Sequence, residues 1–165
     1  MIRTLDIIYQ QIGRLLLEKE FSMPATRNYY VNVTIQNDSI ALAEAHGHSL
    51  MLNIKKGSGE AGFNAAETLL AALGACILTN VGAIGGKMHL QIDDARMEFV
   101  AVRRDEPPAL TEIRYKLILK SPEPLEKLDE LHDLCVKWGT VTNTVINGLT
   151  PQGELVVERK KSDRL

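Results

Sequence analysis

FNAAETLLAALGACILTNVGAIGG, residues 63–86, is helical by composition and apolar nearly all the way round. A helix with one apolar stripe lies on a surface, whereas a helix without a polar face needs cover on every side, so the rest of the fold is expected to wrap this segment. Asn64 is placed to cap it, and Glu67 occupies the third helical position, where a carboxylate completes a capping box. The apolar run over residues 69–84 is interrupted by Thr79 and Asn80 before it reaches the roughly 20 residues that a membrane span needs. No membrane segment is expected.

Outward from this helix the periodicity changes. Upstream, residues 29–36 alternate as a strand does, Asn37-Asp38 is a turn pair, and residues 39–45 and 48–54 supply two more strands ahead of a Gly-rich loop over 55–62. Downstream, residues 88–104 and 110–119 are strand-like and split by the turn Asp105-Glu106-Pro107-Pro108. Helical spacing returns through Leu125, Leu128, Leu131 and Cys135, and Gly139 breaks it. A short helical turn over 140–146 and a closing strand over 154–158 follow. At the start, Leu5, Ile8, Ile12, Leu15 and Leu16 form the apolar stripe of an amphipathic helix over residues 2–19, ended by Met23-Pro24. Strand meanders and helices are mixed without strict alternation, so the class is α+β. The expected organisation is an N-terminal helix over 1–22, one domain over 23–159 and a charged tail over 160–165.

Composition narrows the function. The 165 residues carry 19 Lys and Arg against 21 Asp and Glu, a net charge of −2, with no basic block to neutralise a row of phosphates. Nucleic acid is not an expected partner. The two cysteines, Cys76 and Cys135, are too few for a disulfide scaffold and not spaced as a zinc site, so they are core residues or redox thiols. The N-terminal residues carry charges throughout and lack a small-residue cleavage site, which points to the cytoplasm. His46 and His48 could face one way on a strand, but no carboxylate or cysteine partner recurs nearby and no metal site is expected. Trp138 and Met51 are expected to serve packing.

At GFNAAETLLAALGAC the chain resembles the central-helix motif of the OsmC/Ohr family, the osmotically inducible and organic hydroperoxide resistance proteins. Glu67, Leu69, Leu70, Ala71, Ala72, Leu73, Gly74 and Cys76 carry the match, and VKWGTVTNTV, residues 136–145, extends it. The resemblance covers about residues 29–158. It implies an OsmC-like fold in which strands of two subunits wrap the central helices of an intertwined homodimer, with the first helix as an addition. It also implies a thiol-dependent peroxidase acting in oxidative-stress defence. Cys76 would attack a small organic hydroperoxide as a thiolate and become a sulfenic acid; no cofactor is required.

A thiolate in an apolar helix needs a cationic partner, because burial favours the neutral thiol. The helix dipole cannot serve, since Cys76 lies about 12 residues past the cap and the effect fades within the first turn. The resemblance implies an Arg in the turn between the first two strands, paired with the residue matching Glu67. Here that turn reads Gln36-Asn37-Asp38-Ser39, and Arg27, Arg96, Arg103 and Arg114 are the alternatives. Glu67 and Cys76 stand about 13 Å apart along a straight helix. The family's second cysteine sits in a segment typically reading Lys-Tyr-Cys-Pro-Val-Ser-Asn-Thr-Leu. Gly139 takes that place, so either Cys135, one turn earlier, or an external dithiol would regenerate Cys76. Alternatively Cys76 and Cys135 are packing residues, Glu67 is a helix-start residue, and the chain is a non-peroxidase relative that holds a small apolar ligand or serves as a structural dimer.

Overall fold

A computed structural model of the chain describes residues 27–56 and 62–148. The helix expected over residues 2–19, the strand over 154–158 and the charged tail lie outside them. The observed order is β1 (Asn32–Ile35), β2 (Ile40–Ala45), β3 (His48–Asn53), α1 (Ala65–Lys87), β4 (Asp94–Arg104), β5 (Ala109–Lys120), α2 (Leu125–Lys137) and α3 (Thr140–Asn147). The fold is α+β, as the sequence pattern implies.

Strands β1, β2 and β3 form an antiparallel meander. Between β1 and β2, the Asn37 side-chain oxygen accepts from the Ser39 and Ile40 amides at 2.9 and 3.0 Å, which makes the expected turn. Between β2 and β3 the chain reverses at His46 and Gly47, both at positive φ, 52° and 77°. Two successive left-handed residues match the twist of the flanking strands. His46 is thus a turn residue and not a strand neighbour of His48. Among the described residues no cluster of His, Cys, Asp or Glu could hold a metal ion. β1 starts at Asn32, opposite Glu44, and not at residue 29, because its partner β2 ends one residue later at this tight reversal. Tyr29, Tyr30 and Val31 therefore precede the ladder as exposed chain.

The loop into α1 passes Gly62, at φ 76°, where a Cβ would stand 2.5 Å from the Met51 carbonyl oxygen. Glycine is required there by both conformation and space. Asn64 and Glu67 then form the expected capping box: Asn64 Oδ1 accepts from the Glu67 amide at 3.0 Å, and Glu67 Oε2 accepts from the Asn64 amide at 2.9 Å. The helix runs to Lys87. Met88, expected to open a strand, belongs to its terminal turn, and His89 adopts a left-handed φ of 56° that redirects the chain. The following loop is held by Glu123, whose carboxylate accepts from the Gln91 amide, and by the Ser121 hydroxyl, which donates to the Gln91 carbonyl. The next strand consequently begins at Asp94.

β4 and β5 form a two-stranded ribbon with a bulge at Val102/Arg103. Their inward-facing residues pair across the strands as Ala95 with Leu119, Met97 with Leu117, Phe99 with Tyr115 and Ala101 with Ile113. This face packs against a core built from Leu73, Ile77 and Val81 of α1 with Leu131 and Cys135 of α2. Spacing by four residues puts the three α1 residues on one stripe. Gly74 lies beside them under the Phe99 ring, where a Cβ would approach to 3.0 Å. Burying each Leu or Ile contributes about 1.5–3 kcal/mol, so this stripe dominates the stability of the α1–α2–ribbon unit.

Length and composition alone would also suit α1 to crossing a membrane. In the fold it is a packing helix, yet the single chain covers only part of it: Leu73, Gly74, Ile77, Val81 and Gly85 are buried out of 23 residues. Among the described residues, the full enclosure expected of a helix without a polar face is not seen.

Candidate active site

Cys76 follows the buried stripe of α1 on its flank and is partly exposed. It opens on a cavity of about 510 Å³ lined by Tyr29, Ala72, Ala75, Cys76, Thr79, Asn80, Trp138, Thr140 and Val141. Three segments distant in sequence converge here. α1 supplies the floor through Ala72, Ala75, Cys76 and Thr79, whose small side chains leave the space open. The corner between α2 and α3 supplies Trp138, Thr140 and Val141, and the chain ahead of β1 supplies Tyr29.

The two polar interruptions of the apolar run have structural assignments. Thr79 bonds back to the Ala75 carbonyl at 2.8 Å, which satisfies its hydroxyl inside the helix. Asn80 Nδ2 donates to the Cys135 carbonyl at 2.9 Å and ties α1 to the last turn of α2. The cavity wall is thereby fixed relative to its floor.

Cys135 lies in a different environment. It is fully buried, at 0% exposure, and burial pushes its thiol up to about 11. Both cysteines are free thiols. Gly139, one turn beyond Cys135, is buried at the start of α3, with its carbonyl accepting from the Asn143 amide at 2.9 Å. Its backbone angles, φ −81° and ψ 119°, suit any residue. Space is what excludes a side chain: a Cβ would stand 2.5 Å from Thr142 Oγ1, 3.0 Å from Thr142 Cβ and 3.2 Å from the Cys135 carbonyl oxygen. The hydroxyl that fills this place is itself buried and has no hydrogen-bond partner.

Glu67 stands at the first turn of α1, with its carboxylate engaged in the capping box. Among the described residues, no charged side chain lines the Cys76 cavity. Arg96, Arg103 and Arg114 all lie on the ribbon and pair with Glu98, Asp105 and Glu112. Among the described residues, Lys137 approaches the cavity wall from outside: its Nζ sits 5.6 Å from the centroid of the Trp138 ring, within cation–π range. The structure thus groups Cys76 with Trp138, Asn80 and Tyr29, and it places Glu67 and Cys135 elsewhere.

Trp138 was expected in packing, but it is 66% exposed in the single chain and forms part of the cavity rim. Neither its role nor that of Tyr29 is legible from local spacing, because each reaches Cys76 only through tertiary contact. A signal did exist for Asn80: a polar residue in the middle of an otherwise apolar helix needs a partner, and this one found a backbone carbonyl.

A sequence profile of OsmC-like proteins matches residues 57–152, more than half of the chain. No curated protein matches the chain significantly in sequence. Among solved structures, an OsmC-like protein from Mycoplasma pneumoniae shares the fold at a TM-score of 0.69 and 21% identity, over 74% of this chain and 89% of that one. An organic hydroperoxide resistance protein of Bacillus subtilis aligns at 0.54 and 13% identity, over 73% and 92%. One from Legionella pneumophila aligns at 0.56 and 11%, over 74% and 91%. At these identities the structural neighbours speak for the fold, and the profile speaks for descent. By the profile, the chain belongs to the family of OsmC-like proteins.

Proposed function

We propose that this protein is a thiol peroxidase that reduces small organic hydroperoxides through Cys76, in defence against oxidative stress. One observation carries the reading. Of the two thiols, the one at the family's motif position opens on an apolar cavity large enough for a small organic molecule, while the other is sealed in the core. The names of the Bacillus and Legionella neighbours add family-level support. In the reaction the Cys76 thiolate attacks the O–O bond, one S–O bond forms, the alkoxide leaves and takes a proton as the alcohol, and the sulfur becomes a sulfenic acid. Glu67 supports the site by starting the helix that carries the sulfur. In this reading Lys137, over Trp138, is the described cation assigned to the thiolate.

The working unit is a homodimer in this proposal. Tyr29, Tyr30, Val33, Ile35, Leu69 and Trp138 are exposed, and among the described residues α1 has apolar residues outside its buried stripe. A second copy would cover them. Light scattering on the eluted protein at micromolar concentration should return a dimer; a monomer removes this part of the proposal.

The activity is tested by mixing the reduced protein with cumene hydroperoxide and following peroxide loss. Wild type should consume it, and Cys76→Ser should lose at least about 100-fold. Consumption that survives in Cys76→Ser would sink the assignment. A second reading, a relative that holds a small apolar ligand without peroxidase activity, is favoured by the mostly apolar lining among the described residues. Native mass spectrometry of freshly purified protein separates the two: a retained ligand in a peroxide-inactive dimer favours binding, and an empty, active dimer favours the enzyme.

A further inference from the structure

The chain offers Cys76 one possible internal thiol, and the fold withholds it. Cys135 is fully buried among Leu131, Ile77 and the ribbon, and its proton is held far above the neutral range. Attack on a sulfenic acid requires a thiolate that can reach the sulfur along the new S–S axis. Cys135 has neither the ionisation nor the access, and its backbone is pinned from the α1 side by Asn80. The corner one turn later is closed as well, because Thr142 already occupies the space that a side chain on residue 139 would need. By contrast, the cavity over Cys76 is open, and among the described residues its lining is mostly apolar and carries no charge, with Trp138 and Tyr29 at its rim.

We propose that Cys76 works as a single-cysteine centre, regenerated by a small external thiol that enters the same cavity as the peroxide, while Cys135 remains a reduced core residue throughout. The inference rests on the peroxidase reading and adds the identity of the reductant class. The sequence of steps balances. The first external thiol attacks the Cys76 sulfenic acid, an S–S bond forms and water leaves. A second thiol attacks that mixed disulfide, Cys76 departs as the thiol, and the two external thiols leave joined as a disulfide. The net reaction converts one hydroperoxide and two thiols into an alcohol, water and one disulfide. An uncharged thiol suits the site, since a charged one would forfeit hydration against a lining that is mostly apolar among the described residues.

The test uses full-length wild type, reduced, treated with one equivalent of cumene hydroperoxide and mapped by peptide mass spectrometry without reduction. The expected result is Cys76 captured by dimedone, Cys135 still a free thiol, and a 2-mercaptoethanol mixed disulfide on Cys76 when that thiol replaces dimedone. With excess 2-mercaptoethanol, turnover of Cys135→Ala should stay within about twofold of wild type. A Cys76–Cys135 disulfide, a Cys76 bond between two copies, or a sulfenic acid that 2-mercaptoethanol fails to reduce overturns this inference and leaves the peroxidase reading standing. An unoxidised Cys76 overturns both. If Cys135→Ala does not fold, the wild-type map decides alone.

Discussion

Two cysteines sit within reach of the same helix pair, and their surroundings differ in almost every respect. Cys76 lies on the flank of α1 beside Ala72, Ala75 and Thr79, whose small side chains leave a cavity. Cys135 lies fully buried in the core cluster with Leu131 and Ile77. The residue type is the same, so the difference is made by neighbours: where they are small a thiol lines an open cavity, and where they are large and branched it becomes a packing atom. α1 separates the two regimes across its own width.

The sharpest way to break that comparison is to mutate adjacent residues on opposite sides of the divide. Ile77 is fully buried and Cys76 is not. Ile77→Ala should cost about 2–5 kcal/mol in urea unfolding through lost transfer energy and the cavity left behind. Cys76→Ala should cost under about 1 kcal/mol while removing peroxide consumption. Equal costs at the two positions would mean that the flank of α1 is as tightly packed as its core stripe.

The next largest effect concerns the α2–α3 corner. Gly139→Cys restores the residue that the resemblance places there, but the new Cβ must displace Thr142 and crowd the Cys135 carbonyl. A loss of about 1–3 kcal/mol is expected from overpacking. Gly139→Cys combined with Thr142→Ala should recover most of it, because the hydroxyl removed is the group in the way and it has no partner to lose. A denaturation series on the two single variants and the double variant measures this coupling. Simple additivity would show that Thr142 does not fill the place of a side chain at 139.

Much of this was legible in the sequence, and the rest was not for physical reasons. The apolar α1 segment with Asn64 and Glu67 at its start encodes its own boundaries, and the turn at Asn37 and the break at Gly139 are local signals that local structure obeys. Met88 misled, because an apolar residue after a helix is equally consistent with a strand or a terminal turn; the left-handed His89 decided for the turn. Cys76 was marked by a motif, but the cavity over it is built by Trp138 and Tyr29 from segments that no window around Cys76 contains. For Cys135 the helical spacing and the nearby helix end favour a core residue over a redox thiol, and its burial agrees with the first.

Burial of Cys135 has a signature in pH. In the folded state its thiol holds its proton up to about 11, whereas a released thiol gives it up near 9.0. The folded protein is therefore favoured in full below the lower value, and stability drains away as pH rises from about 9 to about 11. Unfolding curves across this window should fall more steeply for wild type than for Cys135→Ala, with tyrosine and lysine titration common to both. Parallel curves would show that the thiol reaches solvent in the folded state, and would return it to the candidates for reaction with Cys76.

Glu67 gives the smallest effect and the finest distinction. As a cap, its carboxylate accepts from the Asn64 amide, a task that a glutamine side-chain oxygen performs equally well. As a catalytic carboxylate it would act through its charge on a cation beside Cys76, about 13 Å away along the helix. Glu67→Ala should cost about 1 kcal/mol by removing half of the capping box, and any fall in activity should track the loss of folded protein. Glu67→Gln should keep both stability and peroxide consumption. If instead Glu67→Gln stays folded and its activity collapses, the charge of Glu67 is felt at Cys76. The start and the middle of α1 would then be joined by a cation that bridges them, and the contrast between an architectural helix end and a reactive helix centre would no longer hold.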